Sequence, residues 1–113
     1  MDPISAALIE KALDGLSQRY TFTAQNIANA NTANYRPVRV SFEDDLRHAA
    51  ANGLNAINAV TPQTIVDPAT AGGGARLDLE LASASQTGMR YRALLDILSQ
   101  QLRLERTILT GGR

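Results

Sequence analysis

The residues best able to do chemistry are few and scattered. His48 is the only histidine and there is no cysteine, so no pair of imidazole or thiolate ligands exists for a zinc-type centre. Glu43, Asp44 and Asp45 stand consecutively. On a helix, adjacent side chains point in different directions, so these carboxylates do not converge on one cation or form an acid–base pair. They fit better in the first turn of a helix, where exposed amides favour negative charge. Asp78 and Glu80 flank the start of another helical run and have the same account. Gly72, Gly73 and Gly74 lead into Ala75-Arg76, not into the Gly-Lys-Ser/Thr that completes a phosphate loop. No serine sits in a Gly-x-Ser-x-Gly turn. Catalytic residues, cofactor-binding residues and metal ligands are therefore expected to be absent, and the chain is read as a non-enzyme.

The elements that would carry a function of another kind come from composition. With 113 residues there is room for one domain. Apolar residues make up 44% of the chain but aromatic ones only 4%, with no Trp, so a core must be built from Leu, Ile and Ala. That suits packed helices better than a sandwich or barrel. Eleven basic residues balance eleven acidic ones, and neither half is strongly charged. Neither the basic stripe of a nucleic-acid binder nor the basic amphipathic face of a membrane-surface protein is visible. Met1 leads straight into Asp2-Pro3, without a basic n-region or apolar h-region, so export by a cleaved signal peptide is not expected.

Asp2-Pro3 is a strong helix start, a capping carboxylate followed by a residue pre-set for the first helical position. From there Ala6, Ile9, Leu13, Leu16, Tyr20, Thr23, Ile27 and Ala30 recur at spacings of three and four, a heptad seam. Residues 1–30 are thus predicted as an N-terminal helix, in which Gly15 marks close packing or a bend. No charged residue occurs between Arg19 and Arg36, where Gln25, Asn26, Asn29, Asn31 and Asn34 crowd. Either this helix end is surrounded by protein, with amides serving as paired donors and acceptors, or it is an ordinary polar helix end.

Residues 31–75 read as a loop, a short helix and an exposed linker. Pro37 pushes Arg36 into extended geometry, and Val38, Val40 and Phe42 alternate as in a short strand. Ser41 is placed to cap a helix over residues 42–51. Breakers at Asn52-Gly53, Thr61-Pro62, Asp67-Pro68 and Gly72–Gly74 then make residues 52–75 a linker or a loose hairpin.

Residues 76–113 carry a second long helix, Leu77 to Leu109, closed by Gly111-Gly112. One seam runs through Leu81, Ala84, Gly88, Tyr91, Leu95, Leu98, Leu102, Glu105 and Leu109; a second includes Leu94, Ile97, Leu104 and Ile108. One partner satisfies one seam, so two seams imply neighbours on two sides. The fold class expected is mainly α: two long terminal helices in an antiparallel coiled-coil pair, a short helix, a weakly β middle, and assembly into larger structures.

The run Asn26-Ile27-Ala28-Asn29-Ala30-Asn31-Thr32-Ala33-Asn34-Tyr35 resembles the N-terminal signature of the bacterial flagellar rod, hook and axial proteins. In that family the pattern is approximately N-hydrophobic-A-N-x-x-T-x-G-Y. Asn26, Ile27, Ala28, Asn29, Thr32 and Tyr35 match in order, with Asn34 in place of the glycine. Asn is the next residue most able to hold a left-handed angle. Leu77-Asp78-Leu79-Glu80, Tyr91-Arg92-Ala93-Leu94-Leu95 and Leu98-Ser99 are similar to the proximal rod subunits of the family, as is the small middle region.

The resemblance implies a structural subunit of the rod, the drive shaft crossing the periplasm, exported through the flagellar type III apparatus. It implies terminal helices packed in the inner layer of a helical tube, with Ile9, Leu13, Leu16, Tyr20, Leu81, Tyr91, Leu94, Leu95, Ile97, Leu98, Leu102, Leu104 and Ile108 at packing interfaces. It also implies an assembly-critical turn from Asn26 to Tyr35. The partners implied are copies of the same chain, other rod proteins of the FlgC type, the adaptor FliE, the MS-ring and the export gate. The alternative reading from the residues is a cytosolic helical adaptor or export chaperone. A small hydrolase or metal enzyme is a third, for which the chain offers no set of reacting or ligating residues.

Overall fold

The computed structural model describes residues 1–68 and 75–111; the Gly72–Gly74 run and Gly112 lie outside them. Six elements follow in order: α1 (Pro3–Ala28), β1 (Val38–Ser41), α2 (Glu43–Ala50), α3 (Leu54–Asn58), β2 (Gln63–Val66) and α4 (Leu77–Leu109). The fold is mainly helical, with one antiparallel two-stranded sheet in which Val38 pairs with Val66 and Ser41 with Gln63. The molecule is elongated, 62 × 30 × 13 Å, as a helix of 33 residues dictates.

The start of α1 follows its cap. An Asp2 carboxylate oxygen accepts from the Ser5 amide at 2.8 Å, and Pro3 opens the first turn. The start of α2 differs from expectation. Ser41 is held in the sheet ladder, so Phe42 occupies the cap position and offers no side-chain hydrogen bond. Glu43, Asp44 and Asp45 do fall in the first turn of α2.

The core gathers Ala7 and Leu16 of α1, Val40 of β1, Phe42, Leu46 and Ala49 of the α2 segment, and Ile57 of α3. Gly15 makes this possible. A Cβ there would lie 2.4 Å from the Phe42 ring, so the ring packs directly on the α1 backbone. The segment expected as a linker contains α3, whose Ile57 is fully buried, and β2, which is exposed throughout.

Helices α1 and α4 share the most extensive contact in the molecule. Their sense is antiparallel: Asn26 near the end of α1 hydrogen-bonds Glu80 near the start of α4, while the Met1 amino group meets Glu105 near the other end. Equal numbers of residues separate these partners on the two sides, so both ends of the pair share one alignment. Each helix carries a strip of residues at spacings of three and four, none of them exposed, and the end contacts set the two strips opposite one another, with Gly15 and Arg19 turned toward Phe42 and Glu43. On α1 the strip is Met1, Ser5, Leu8, Ala12, Gly15, Arg19, Phe22 and Asn26; on α4 it is Glu105, Gln101, Leu98, Leu94, Tyr91, Thr87, Ala84 and Glu80. The strip on α1 lies one residue from the seam read in the sequence. The apolar surface there is broad enough that Leu16 belongs to the core under Phe42 instead.

Candidate functional site: a buried polar junction and an apolar flank

The Asn26–Tyr35 motif closes α1 and turns the chain into β1. Asn29 caps the helix end, its amide group donating to the Gln25 carbonyl at 2.9 Å. The Thr32 hydroxyl donates to Asn29 Oδ1 at 3.0 Å, and the Thr32 and Tyr35 amides donate to the Asn29 and Thr32 carbonyls. Asn34 then adopts φ +63°, the left-handed angle expected of the residue replacing the glycine.

That turn brings three groups onto one side chain. Asn26 is fully buried, and its Oδ1 accepts from the Tyr35 hydroxyl at 2.7 Å and from the Val38 amide at 3.0 Å. Its Nδ2 donates to the Val38 carbonyl at 3.0 Å and to Glu80 Oε2 at 3.2 Å. All the hydrogen-bonding capacity of a primary amide is thus used. Among these groups only an amide suits, because a carboxylate could not donate and an apolar residue would leave the partly buried Val38 amide and carbonyl without this partner.

Glu80 is also fully buried, and Arg39 Nη1 lies 2.6 Å from its Oε1. Arg39 further reaches Asp67, Nε donating to Oδ2 at 3.1 Å. A buried carboxylate survives only if paired and hydrogen-bonded, and Glu80 is both. Burial would lower the Arg39 pKa, but hydrogen bonds to Glu80 and Asp67 outweigh it and hold the guanidinium above its ordinary range. Burial raises the Tyr35 hydroxyl, the charge of Glu80 pushes the same way, and Arg39 opposes. The junction therefore clamps α1, the turn, β1 and α4 together, and each of its polar side chains has an assigned partner within the chain. Its chemistry is that of a structural lock.

A second clamp sits one side of it. Arg19 forms a two-pronged pair with Glu43 at 2.6 and 2.7 Å, donates to the Val40 carbonyl at 2.7 Å, and stacks 4.9 Å from the Phe42 ring centre. The hydrogen bond from Arg19 lowers the Glu43 pKa, against the opposing effect of partial burial. Nothing in the local sequence signalled this pair, because its members are separated by a loop and a strand.

The remaining motif residues have mixed placements: Ile27 is half-buried, and Ala28 and Thr32 are exposed. Of the residues read as packing positions, Leu16 is buried, and Ile9, Leu13, Tyr91, Leu94 and Leu98 are half-buried. Tyr20, Leu81, Leu95, Ile97, Leu102, Leu104 and Ile108 are exposed. The exposed ones on α4 are not scattered. Leu81, Leu95, Leu102 and Leu109 lie on one flank of the strip facing α1, while Ile97 and Leu104 lie on the other. Over the C-terminal half of α4 the outer face between them is polar, with Arg92, Asp96, Ser99, Arg103 and Arg106. Beside the first flank, a groove of about 310 Å³ is lined by Leu16, Ser17, Tyr20, Thr21, Thr87, Gly88, Tyr91 and Arg92. Exposed apolar side chains repeating beside a filled seam are the pattern of a helix with more than one neighbour.

Among the described residues, His48 is exposed, no group of three potential metal ligands assembles, and no helix is long and apolar enough to cross a membrane. No protein-family model matches the chain. It is 24% identical, over 93% of its length, to the flagellar basal body rod protein FlgB of Bacillus subtilis strain 168, and the match covers 92% of that protein.

Proposed function

We propose that this chain is a structural, non-enzymatic subunit of the bacterial flagellar basal-body rod, of the proximal FlgB type. The observation that carries the reading is the distant likeness to a FlgB protein across nearly the whole of both chains. The Asn26–Tyr35 motif supports it, since its residues build a specific turn at the end of α1. So do the apolar flanks of α4, which one chain leaves uncovered.

On this reading α1 and α4 form the coiled-coil unit of the inner wall of a helical tube, and the exposed leucines of α4 meet neighbouring subunits. The partners are copies of the chain, rod proteins of the FlgC type, the adaptor FliE, the MS-ring and the export gate. The subunit leaves the cell through the flagellar type III apparatus and acts in the periplasmic rod, transmitting torque. The turn from Asn26 to Tyr35 is critical to assembly because it fixes how the two helices meet.

Purification of basal bodies from cells carrying a tagged chain tests the reading. The chain is expected in the rod fraction at its cell-proximal end, and deletion of its gene is expected to abolish both rods and motility. A chain confined to the cytosol in cells that still swim would sink the proposal and favour the adaptor or chaperone.

A further inference from the structure

We infer that Glu80 is a register key: its buried carboxylate, gripped by Asn26 and Arg39, selects the observed antiparallel alignment of α1 and α4 over one displaced by a heptad. The mirrored strips explain why a key is needed. Both repeat with the same period, so a seven-residue slide keeps strip against strip. Sliding α4 one way sets Gln101 against Ala12 and buries Glu105 against Leu8, which desolvation of the carboxylate forbids. Sliding it the other way is different. Tyr91 then meets Leu8, Leu98 meets Met1, and Leu77, which is 47% exposed in the observed register, covers Phe22. This second alignment keeps Tyr91, Leu94 and Leu98 on α1 and adds Leu77, although Leu94 then meets Ser5 and Thr87 meets Ala12, so apolar contact alone does not exclude it.

What separates the two is polar. In the displaced alignment Glu80 leaves Asn26 Nδ2 and faces Arg19, whose guanidinium already serves both Glu43 oxygens and the Val40 carbonyl. Glu80 also leaves Arg39, 2.6 Å away in the observed register. A single buried polar group at a seam position is a known way to fix alignment at some expense of stability. The consequence reaches the surface. A heptad slide moves the exposed Leu95 and Leu102 by about 10 Å relative to the β1–β2 hairpin, so the key determines where the apolar flank stands. This holds for the single chain and does not rest on the rod reading.

The chain has no cysteine, so an introduced pair reports alignment cleanly. Ala12→Cys with Leu94→Cys reads the observed register and Ala12→Cys with Thr87→Cys the displaced one, each oxidised in dilute full-length chain and scored as intramolecular disulfide. With Glu80 present, the 12–94 bridge dominates. Glu80→Leu leaves Asn26 its Val38 and Tyr35 partners and Arg39 its Asp67 partner, so the hairpin stays satisfied. It is expected to raise the ratio of 12–87 to 12–94 bridging about tenfold or more, the weight of one charged hydrogen bond. Glu80→Ala, which removes the carboxylate without adding bulk, moves the ratio the same way, whereas Glu80→Gln, which keeps an acceptor for Asn26, holds it near the parent value. An unchanged ratio in whichever of the Leu and Ala variants retains its helical circular dichroism overturns the inference. So does a Gln variant that shifts as far as they do.

Discussion

The Tyr35 hydroxyl donates to Asn26 Oδ1 at 2.7 Å across nine residues of chain, and the same oxygen accepts the Val38 amide. A helix end, a turn and a strand are tied to one fully buried amide, so the two residues that bracket the motif are its working parts.

Asn26→Ala is expected to destabilise the isolated chain by about 2–4 kcal/mol, since it strands partly buried Val38 groups and removes a partner of the fully buried Glu80. Tyr35→Phe removes one hydrogen bond of a half-buried group and should cost about 1 kcal/mol. Urea unfolding measures both. Equal losses would mean that the amide acts only through the tyrosine.

Gly15→Ala pits helix propensity against packing. Alanine favours a helix interior by about 1 kcal/mol over glycine, but its Cβ would stand 2.4 Å from the Phe42 ring. The contact involves a packed ring, so the variant should be less stable by about 1–3 kcal/mol. Gly15→Ala with Phe42→Leu should recover part of that loss relative to Phe42→Leu alone. A rise in melting temperature for Gly15→Ala would show that the ring moves freely.

Asn34 holds φ +63°. Asn34→Ala should cost about 1 kcal/mol, while Asn34→Gly should not destabilise, because only a residue with a Cβ resists that angle. Thermal melts of the two variants side by side decide it; similar losses for both would place the role of Asn34 in its side chain.

The Arg19–Glu43 pair makes stability fall in acid. Glu43 has a pKa lowered from the ordinary 4.5, so its contribution is present above that value and is lost as pH drops through the folded-state pKa. With the Glu43 side chain 42% exposed, solvent screening keeps the effect to about 1 kcal/mol or less. Glu43→Gln should flatten the stability profile below the ordinary pKa. A parallel profile for parent and variant would remove the pair from the account.

Leu95 and Leu102 are exposed at 39% and 53%. Leu95→Asp and Leu102→Asp should leave the stability of the isolated chain within about 0.5 kcal/mol, yet, on the proposed rod reading, abolish incorporation by placing an unpaired charge where a neighbouring subunit would pack. Sedimentation and motility assays separate the two effects. Incorporation at the parent level would exclude this flank as a contact.

Much of the helical architecture is legible in the chain because its causes are local. Asp2-Pro3 starts α1, the three-and-four spacing sustains it, and Gly111 lies just past the end of α4. Asn34 could be assigned its left-handed angle from residue type alone. The middle was less legible. A helix of five residues shows no periodicity, so α3 and its buried Ile57 looked like linker. Ser41 looked like a cap until the sheet claimed its backbone.

Residue order by itself therefore determined that two long amphipathic helices form and that a specific polar turn follows the first, since capping, periodicity and backbone preference act within a few residues. Tertiary structure alone decided which face of each helix is covered and which polar groups are buried. Glu80 reads locally as an ordinary first-turn carboxylate, and becomes a fully buried partner of Asn26 only once α4 lies along α1. Leu16 enters the core while Leu95 stays outside, although both belong to apolar seams. Helices with broad apolar surfaces satisfy several alignments almost equally, and long-range hydrogen bonds between groups distant in the chain choose among them.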